Sequence, residues 1–563
     1  MIYIIADNIT SPLGATTQEN LEAVLQGRSA LRRYEGLWGI PTAVCASLFS
    51  REQTARMTRE GMTRFEALAL SSAREAMSRC NIEAANERTL FVLSTTKGNI
   101  ELLDTDGEKR ISPAEAAEHI ARALGFKGET LTVCNACISG VSAMIIAGRL
   151  LEAGCYDTAV VTGADVACRF TVSGFQALKA VSEDACRPFD LERLGLNLGE
   201  AAATVVLSRK APEGAPALWA IEAGAVNNDA HHITSPSPRA EGASAALKAV
   251  AAGDIALINA HGTATMFNDQ MESVAIERAG LNSIPVNGLK GYYGHTLGAA
   301  GVLETIVSLA ALRDHTILAT RGFEERGVSG KINVTAINST TDKTAFIKMI
   351  SGFGGGNAAI TLCRESCLSN ISAKKDLQSP VHRVVLTPTT ATIDGKPVPC
   401  APSLTSLYKH FVDDYPKYYK MDGLSRLGFI ASELLLQAEK VGAAPVSAQT
   451  NDSSRAIVLF NSSSSVAADK KFIETIADDN FFPSPSVFVY TLPNIVTGEI
   501  AMRNGYHGET SFYVLPQRNE ELMRQIILAT LQDSAVTSMI TGWVDYYDEN
   551  NYEADLMLMS SKA

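Results

Sequence analysis

Apolar positions along this chain fall into two alternating patterns. Short runs such as TLFVLSTT (89–96), TAVVTGAD (158–165), AATVVLS (202–208), DIALINAHGTAT (254–265) and KTAFIKMISGFGGGNAAITLC (343–363) read as buried strands. Between them, Ala-rich stretches such as MTRFEALALSSAREAM (62–77) place apolar residues at helical spacing. Strands alternating with helices predict an α/β architecture of helices packed on sheets. A polar stretch, RESCLSNISAKKDLQSP, follows Cys363 and reads as a linker over 366–380, after which a new strand-like run, HRVVLTP, begins.

The pattern after the linker repeats the opening part of the chain. YYKMDGLSRLGFIASELLLQA matches ARMTREGMTRFEALALSSARE, RAIVLFNSSSS matches RTLFVLSTTKG, and IAMRNGYHGET matches IARALGFKGET. SMITGWVD matches AVVTGADV and ADLMLMSSKA matches AATVVLSRKA, all in the same order. At an offset of 380 residues, Gly125, Gly128, Glu129 and Thr130 meet the identical Gly505, Gly508, Glu509 and Thr510. On that alignment Gln517 takes the place of Cys137, so the second copy has no nucleophile there. The stretch between Asp165 and Glu200 shrinks to YYDENNY in the second copy, and nothing in it corresponds to the region from Leu218 to Cys363.

A length of 563 residues predicts several domains, and 46% apolar with 20% charged residues is ordinary for a globular protein. The net charge of -12 argues against a general nucleic-acid binder. No apolar run is long and uncharged enough to span a bilayer, and the opening MIYIIADNITSPLG reads as a strand and a turn rather than a signal peptide. Ten scattered cysteines with a single CxxC pair, Cys134 and Cys137, complete no zinc site. A cytoplasmic setting is the expectation.

Candidate chemistry centres on TVCNACISGVSAMIIAGRLLEAG. A strand ending near Val133 and a helix beginning near Ile138 put Cys137 at the strand-to-helix turn. A helix N-terminus favours thiolate, so a lowered pKa is expected for Cys137. Two histidines follow apolar strands in Gly/Thr-rich turns: His261 in INAHGTATMFNDQMES and His295 in LKGYYGHTLGAAGVLET. Gly-rich SGFGGGNAA supplies backbone amides that could hold an oxyanion. Each feature alone has a bland explanation: an inert buried cysteine, or a hydrogen-bonded loop histidine.

Together, NACISG, RPFD, HGTATMFND, GHTLGAAG and GFGGGN, in order over residues 1–363, resemble the β-ketoacyl synthases, the condensing enzymes of fatty-acid and polyketide synthesis. The resemblance implies the thiolase fold, two βαβαβαββ halves (about 1–212 and 213–365) packed in layers, followed by a degenerate synthase-like half at 381–563. It implies a triad of Cys137, His261 and His295. It implies a supporting Lys290 and Glu304, read as a buried ion pair, and an acidic pair, Asp269 and Glu272. Phe353 matches the gate phenylalanine; its backbone N–H and that of Cys137 would hold the oxyanion. Thr263 and Thr265 resemble the threonines that bind a phosphopantetheine arm, with turn-stabilising hydroxyls as the alternative. The sequence departs from the family at Ser351, in place of an aromatic residue, and at Ala201, in place of a glycine. The implied reaction is decarboxylative condensation of an acyl thioester with malonyl-acyl carrier protein. No tightly bound cofactor or metal is expected beyond the carrier's phosphopantetheine arm. The implied partners are an acyl carrier protein and a second synthase subunit, in a homodimer or a heterodimer. A noncatalytic scaffold or chain-length-factor-like subunit, and a thiolase acting on coenzyme A esters, are the competing readings.

Overall fold

The structure, a computed structural model, describes residues 1–103, 108–212, 218–364, 380–441, 452–478 and 480–560. The expected linker therefore lies outside the described residues except for Pro380.

One sheet order occurs three times. The first unit contains β1 (Ile2–Thr10), β2 (Thr89–Ser94), β3 (Thr130–Val133), β4 (Thr158–Asp165) and β5 (Ala201–Ser208). Pairing runs β3–β2–β4–β5–β1, with β2, β3 and β4 parallel and β5 antiparallel to both neighbours. The second unit contains β6 (Trp219–Asn228), β7 (Ile255–Asn259), β8 (Pro285–Asn287), β9 (Ala345–Gly352) and β10 (Gly356–Arg364). Its order, β8–β7–β9–β10–β6, is the same. The third unit contains β11 (His382–Leu386), β12 (Arg455–Asn461), β13 (Thr510–Val514), β14 (Ser538–Asp548) and β15 (Asn551–Ser560), ordered β13–β12–β14–β15–β11.

Strands β2, β4 and β5 carry scarcely a polar-out position because helices cover both sheet faces. Helix α1 (Arg64–Ser78) is one such cover, held at its start by a capping box between Thr63 and Glu66. Helix α2 (Ser139–Glu152), which follows Cys137, and helix α6 (Ala300–Arg313), the corresponding helix of the second unit, are buried almost all round and pack on each other. They meet at Gly140 and Gly301: a Cβ on Gly140 would come within 2.9 Å of the Val302 nitrogen, and one on Gly301 within 2.6 Å of the Val141 nitrogen. Any side chain there would push the two helix N-termini, and with them the turns that carry Cys137 and His295, apart.

The third unit docks on the open edge of the first. Strand β13 pairs antiparallel with β3, Tyr513 opposite Val133 and Val514 opposite Thr132. Tyr513 and Val133 are equivalent at the 380-residue offset, so this pair lies on an approximate two-fold axis relating the two copies. Helix α9 (Glu520–Leu531), the counterpart of α2, packs on α2 beside that axis. Ion pairs complete the seam: Arg149 bridges Glu509 (2.7 Å) and the half-buried Asp533 (2.8 Å), and Lys97 pairs with Asp469 in a buried pair.

The outward face of α9 is polar. Where α2 is buried almost all round, α9 presents Glu520, Glu521 and Arg524 to solvent, with Glu521 accepting from Arg524 (2.9 Å) and Gln525 (3.0 Å). An amphipathic helix of this kind needs one packed face only. Gln517 lies exposed in the turn before it.

Candidate active site

Three turns converge on one pocket of about 350 Å³ lined by Cys137, His261, His295, Thr263, Thr265 and Phe353, among others. Each turn follows a strand end of the first or second unit, where side chains leave the sheet and can face a cleft.

The turn that carries Cys137 is tightly tied. Ala136 takes a left-handed conformation (φ 48°). Ser139 Oγ accepts from the Asn135 N–H (2.8 Å) and donates to the Ala136 carbonyl (2.6 Å). The third unit holds the same turn from the other side: the Phe512 N–H donates to Asn135 Oδ1 (2.6 Å), and the Cys134 N–H donates to the Phe512 carbonyl (3.1 Å).

Cys137 Sγ lies 3.0 Å from His295 Nε2, and the His261 and His295 rings meet edge to face with centroids 4.9 Å apart. The Leu297 N–H donates to His295 Nδ1 (3.3 Å), which leaves the proton of a neutral ring on Nε2, facing the sulfur. Burial, reinforced by the Lys290 and Lys348 ammonium groups, holds both histidines well below the ordinary imidazole range. They are therefore neutral N–H donors at working pH. Asp165 pins the turn after His295: its carboxylate accepts from the Gly298 N–H (2.7 Å), the Thr96 N–H (3.0 Å) and Thr95 Oγ1 (2.7 Å), although burial raises its pKa to about 6.

The expected lowering of the Cys137 pKa does not occur. Burial dominates and pushes the thiol up to about 12, with Lys290 pulling in the opposite direction. The helix N-terminus is present, but the dipole acts on a buried thiol, and removing a thiolate from water costs more than the dipole returns. At rest Cys137 is held as a thiol.

Beneath His261 lies a buried charge triad. Glu304 Oε1 accepts from Lys290 Nζ (2.7 Å), and Glu304 Oε2 pairs with Lys348, which also donates to the Ala260 carbonyl (3.2 Å). Lys290 donates to the His261 carbonyl as well (2.6 Å). The sequence reading names Lys290 and Glu304 but misses Lys348. The available signal is a lone charge inside the apolar strand AFIKMIS, which must have a buried partner.

Asp269 and Glu272 act on the backbone. Glu272 accepts from the N–H groups of His261 (2.6 Å) and Gly262 (2.7 Å), and Asp269 from those of Thr263 (3.0 Å), Ala264 (3.1 Å) and Phe189 (2.7 Å). They shape the loop that carries His261, and α4 (Met266–Arg278), which supplies both, is fixed to it. Thr263 Oγ1 and Thr265 Oγ1 lie 2.9 Å apart on the pocket wall, and Met266, Phe267 and Leu194 stand exposed at its mouth.

Gly352 lets the Phe353 loop approach Cys137: a Cβ there would lie 3.2 Å from the Cys137 nitrogen. The Phe353 ring stacks on Phe175, with centroids 6.0 Å apart, and Phe175 in turn meets Phe488 of the third unit at 5.5 Å. Ser351 donates to Asn357 Oδ1 (2.7 Å), which ties the two strands of the β9–β10 hairpin beside this loop. Ala201 is fully buried at the start of β5.

Two sheets of the order 3-2-4-5-1 with central helices packed together, and a Cys–His–His cluster at their strand ends, define the thiolase fold. Comparison with known proteins makes the class specific. Residues 1–213 match the β-ketoacyl synthase N-terminal domain and residues 218–324 the β-ketoacyl synthase C-terminal domain, so the chain belongs to the β-ketoacyl synthase family. It is 28% identical over 408 residues to 3-oxoacyl-[acyl-carrier-protein] synthase 2 of Coxiella burnetii (strain RSA 493 / Nine Mile phase I), covering 64% of this chain and 98% of that protein. It is 35% identical over 287 residues to the synthase of the same name from Rhizobium meliloti (strain 1021), covering 46% of this chain and 68% of that protein. A solved structure of the PfaC keto synthase-chain length factor superposes on 100% of this chain and 78% of its own, with a TM-score of 0.75 at 14% identity, a likeness of fold that takes in the third unit. No helix among the described residues is long and apolar enough to cross a membrane.

Proposed function

We propose that the protein catalyses decarboxylative Claisen condensation between an acyl thioester and malonyl-acyl carrier protein, giving 3-oxoacyl-acyl carrier protein, in fatty-acid or polyketide-type synthesis. The observation that carries the reading is the convergence of Cys137, His261 and His295, whose reactive atoms all lie within 4.8 Å of one another. Cys137 attacks the acyl thioester, a new C–S bond forms and the carrier thiol leaves with the proton. The malonyl thioester then loses carbon dioxide, and the two imidazole N–H groups donate to the enolate oxygen. The enolate carbon attacks the acyl-enzyme, a C–C bond forms, and the Cys137 sulfur leaves and is reprotonated. The backbone N–H groups of Cys137 and Phe353 are the donors for the tetrahedral oxyanion; each such donor is worth roughly 2.7–4 kcal/mol of barrier. Thr263 and Thr265 line the path of the phosphopantetheine arm, and the apolar rim of Leu194, Met266 and Phe267 is the landing site for the carrier.

The same three side chains have the composition of a metal site. The Leu297 N–H argues against that use: a metal-bound imidazole donates its second N–H outward, whereas here Nδ1 of His295 accepts. A thiolase reading would need a second cysteine where this pocket has a histidine.

In the same proposal residues 381–563 form a noncatalytic synthase-like half. It occupies the β3 edge on which a partner subunit would otherwise pair, and so takes the partner's place within one chain. Incubation with acyl-carrier protein thioesters, followed by malonyl-carrier protein, tests the function by intact mass. An adduct that requires Cys137 and disappears with formation of a 3-oxoacyl product is the expected result; the absence of an adduct with every donor would overturn it.

A further inference from the structure

The third unit reaches the loop that supplies the oxyanion donor. Asn494, which precedes helix α8 (Ile495–Asn504), donates from Nδ2 to the Phe353 carbonyl at 2.8 Å. The same peptide is fixed on its other side, where the Gly354 N–H donates to the Ile233 carbonyl (2.7 Å). Gly354 has a φ of 90°, and a Cβ on it would lie 2.8 Å from Asn494 Nδ2. A Cβ on Gly498 in α8 would lie 2.5 Å from the Gly354 oxygen, so helix and loop are in direct backbone contact. Asn494 is 5% exposed, and its Oδ1 has no hydrogen-bond partner among the described residues. A buried amide that leaves one end unsatisfied costs stability, which marks the Nδ2 bond as the reason for its presence.

The Phe353–Gly354 peptide is thus clamped between Asn494 and Ile233. Phe353 also carries the backbone N–H proposed above for the oxyanion, next to Gly352 and the Cys137 nitrogen. We propose that Asn494 is a positioning residue: through it, the noncatalytic third unit sets the placement of the Phe353 N–H and hence the rate of acyl transfer at a pocket that Asn494 does not line. The proposal rests on the condensing-enzyme reading. It gives the third unit a role in the chemistry that is separate from filling space or choosing chain length.

The test uses the full chain, with Asn494→Asp as the isosteric variant that removes the donor and places a carboxylate against the Phe353 carbonyl. Misplacement of a reacting group by about 1 Å costs on the order of 100-fold. The expected result is a fall of about 10- to 100-fold in kcat for acyl loading of Cys137, with KM for the acyl donor within about twofold. Iodoacetamide alkylation at the Cys137 peptide, which uses no oxyanion donor, should keep its wild-type rate. Asn494→Ala removes the donor without adding charge and carries the same expectation at about tenfold if the aspartate variant does not fold. An unchanged kcat in a folded variant, or a parallel fall in alkylation and acyl loading, would overturn the positioning role and leave only packing between units. A wild-type chain that forms no adduct would instead overturn the condensing reading, and this proposal with it.

Discussion

The buried triad of Lys290, Glu304 and Lys348 carries two positive charges against one negative, with all three side chains at most 3% exposed. Removing the carboxylate by Glu304→Gln leaves two ammonium groups facing a neutral amide. Breaking one buried pair typically costs about 3–5 kcal/mol. Lys290 retains the His261 carbonyl and Lys348 the Ala260 carbonyl, which soften the loss without replacing the charge. At about 2–4 °C per kcal/mol, the midpoint of thermal unfolding should fall by roughly 6–20 °C. Lys348→Met is the discriminating partner. It removes the surplus positive charge, keeps similar volume and leaves Lys290 and Glu304 as a balanced pair, so its cost should stay within about 1.5 kcal/mol. The two variants also differ in activity against pH. The proposed condensation uses neutral imidazoles, and Lys348 is one of the charges holding His261 and His295 below the usual range. A histidine held low is neutral over the working range and protonates only as pH falls through its depressed pKa. Taking Lys348 away raises that pKa, so the acid limb of the pH–rate profile should move to higher pH in Lys348→Met. Differential scanning calorimetry and the pH dependence of acyl loading read the two effects. Equal destabilisation by both variants, together with an acid limb that stays in place, would refute the electrostatic account.

Alkylation of Cys137 by iodoacetamide should climb about tenfold per pH unit without a plateau below pH 9, because burial holds the thiol neutral; a plateau near neutrality would show a stabilised thiolate. Gly352→Ala should slow acyl loading by about tenfold or more, since its Cβ would crowd the Cys137 nitrogen at 3.2 Å, while Cys137 alkylation stays near wild type. Asp469→Asn should strand Lys97 in the seam between the first and third units at a cost of about 3–5 kcal/mol, read by urea denaturation. A cost below about 1 kcal/mol would mean that the Thr491 carbonyl and Ser465 satisfy the ammonium unaided. Gly174→Ala should loosen the same seam, because its Cβ would overlap the Phe488 ring, with a contact at 2.0 Å; unchanged thermal unfolding would show that the ring has room to turn.

The sequence by itself determined what local chemistry encodes. Strands and helices follow from apolar periodicity, and the runs TLFVLSTT, TAVVTGAD and AATVVLS all form strands of one sheet. The turns carrying Cys137, His261 and His295 announce themselves through small residues between a strand and a helix, because those turns need backbone freedom and close approach. The repeat at an offset of 380 residues was legible for the same reason: strand and turn signals recur in order. Only the tertiary structure decided the rest, because it depends on what long-range neighbours remove from water. The thiol of Cys137 is raised rather than lowered since three turns and the Phe353 loop bury it. Lys348 joins Glu304 because strand β9 lies beside β7, a pairing between residues about ninety apart in sequence. The third unit meets the first at Tyr513 and Val133, a register that composition and periodicity do not specify. That register brings Asn494, an unremarkable polar residue ahead of a helix, against the Phe353 carbonyl. A hydrogen bond between residues far apart in the chain leaves no mark in the periodicity of either segment.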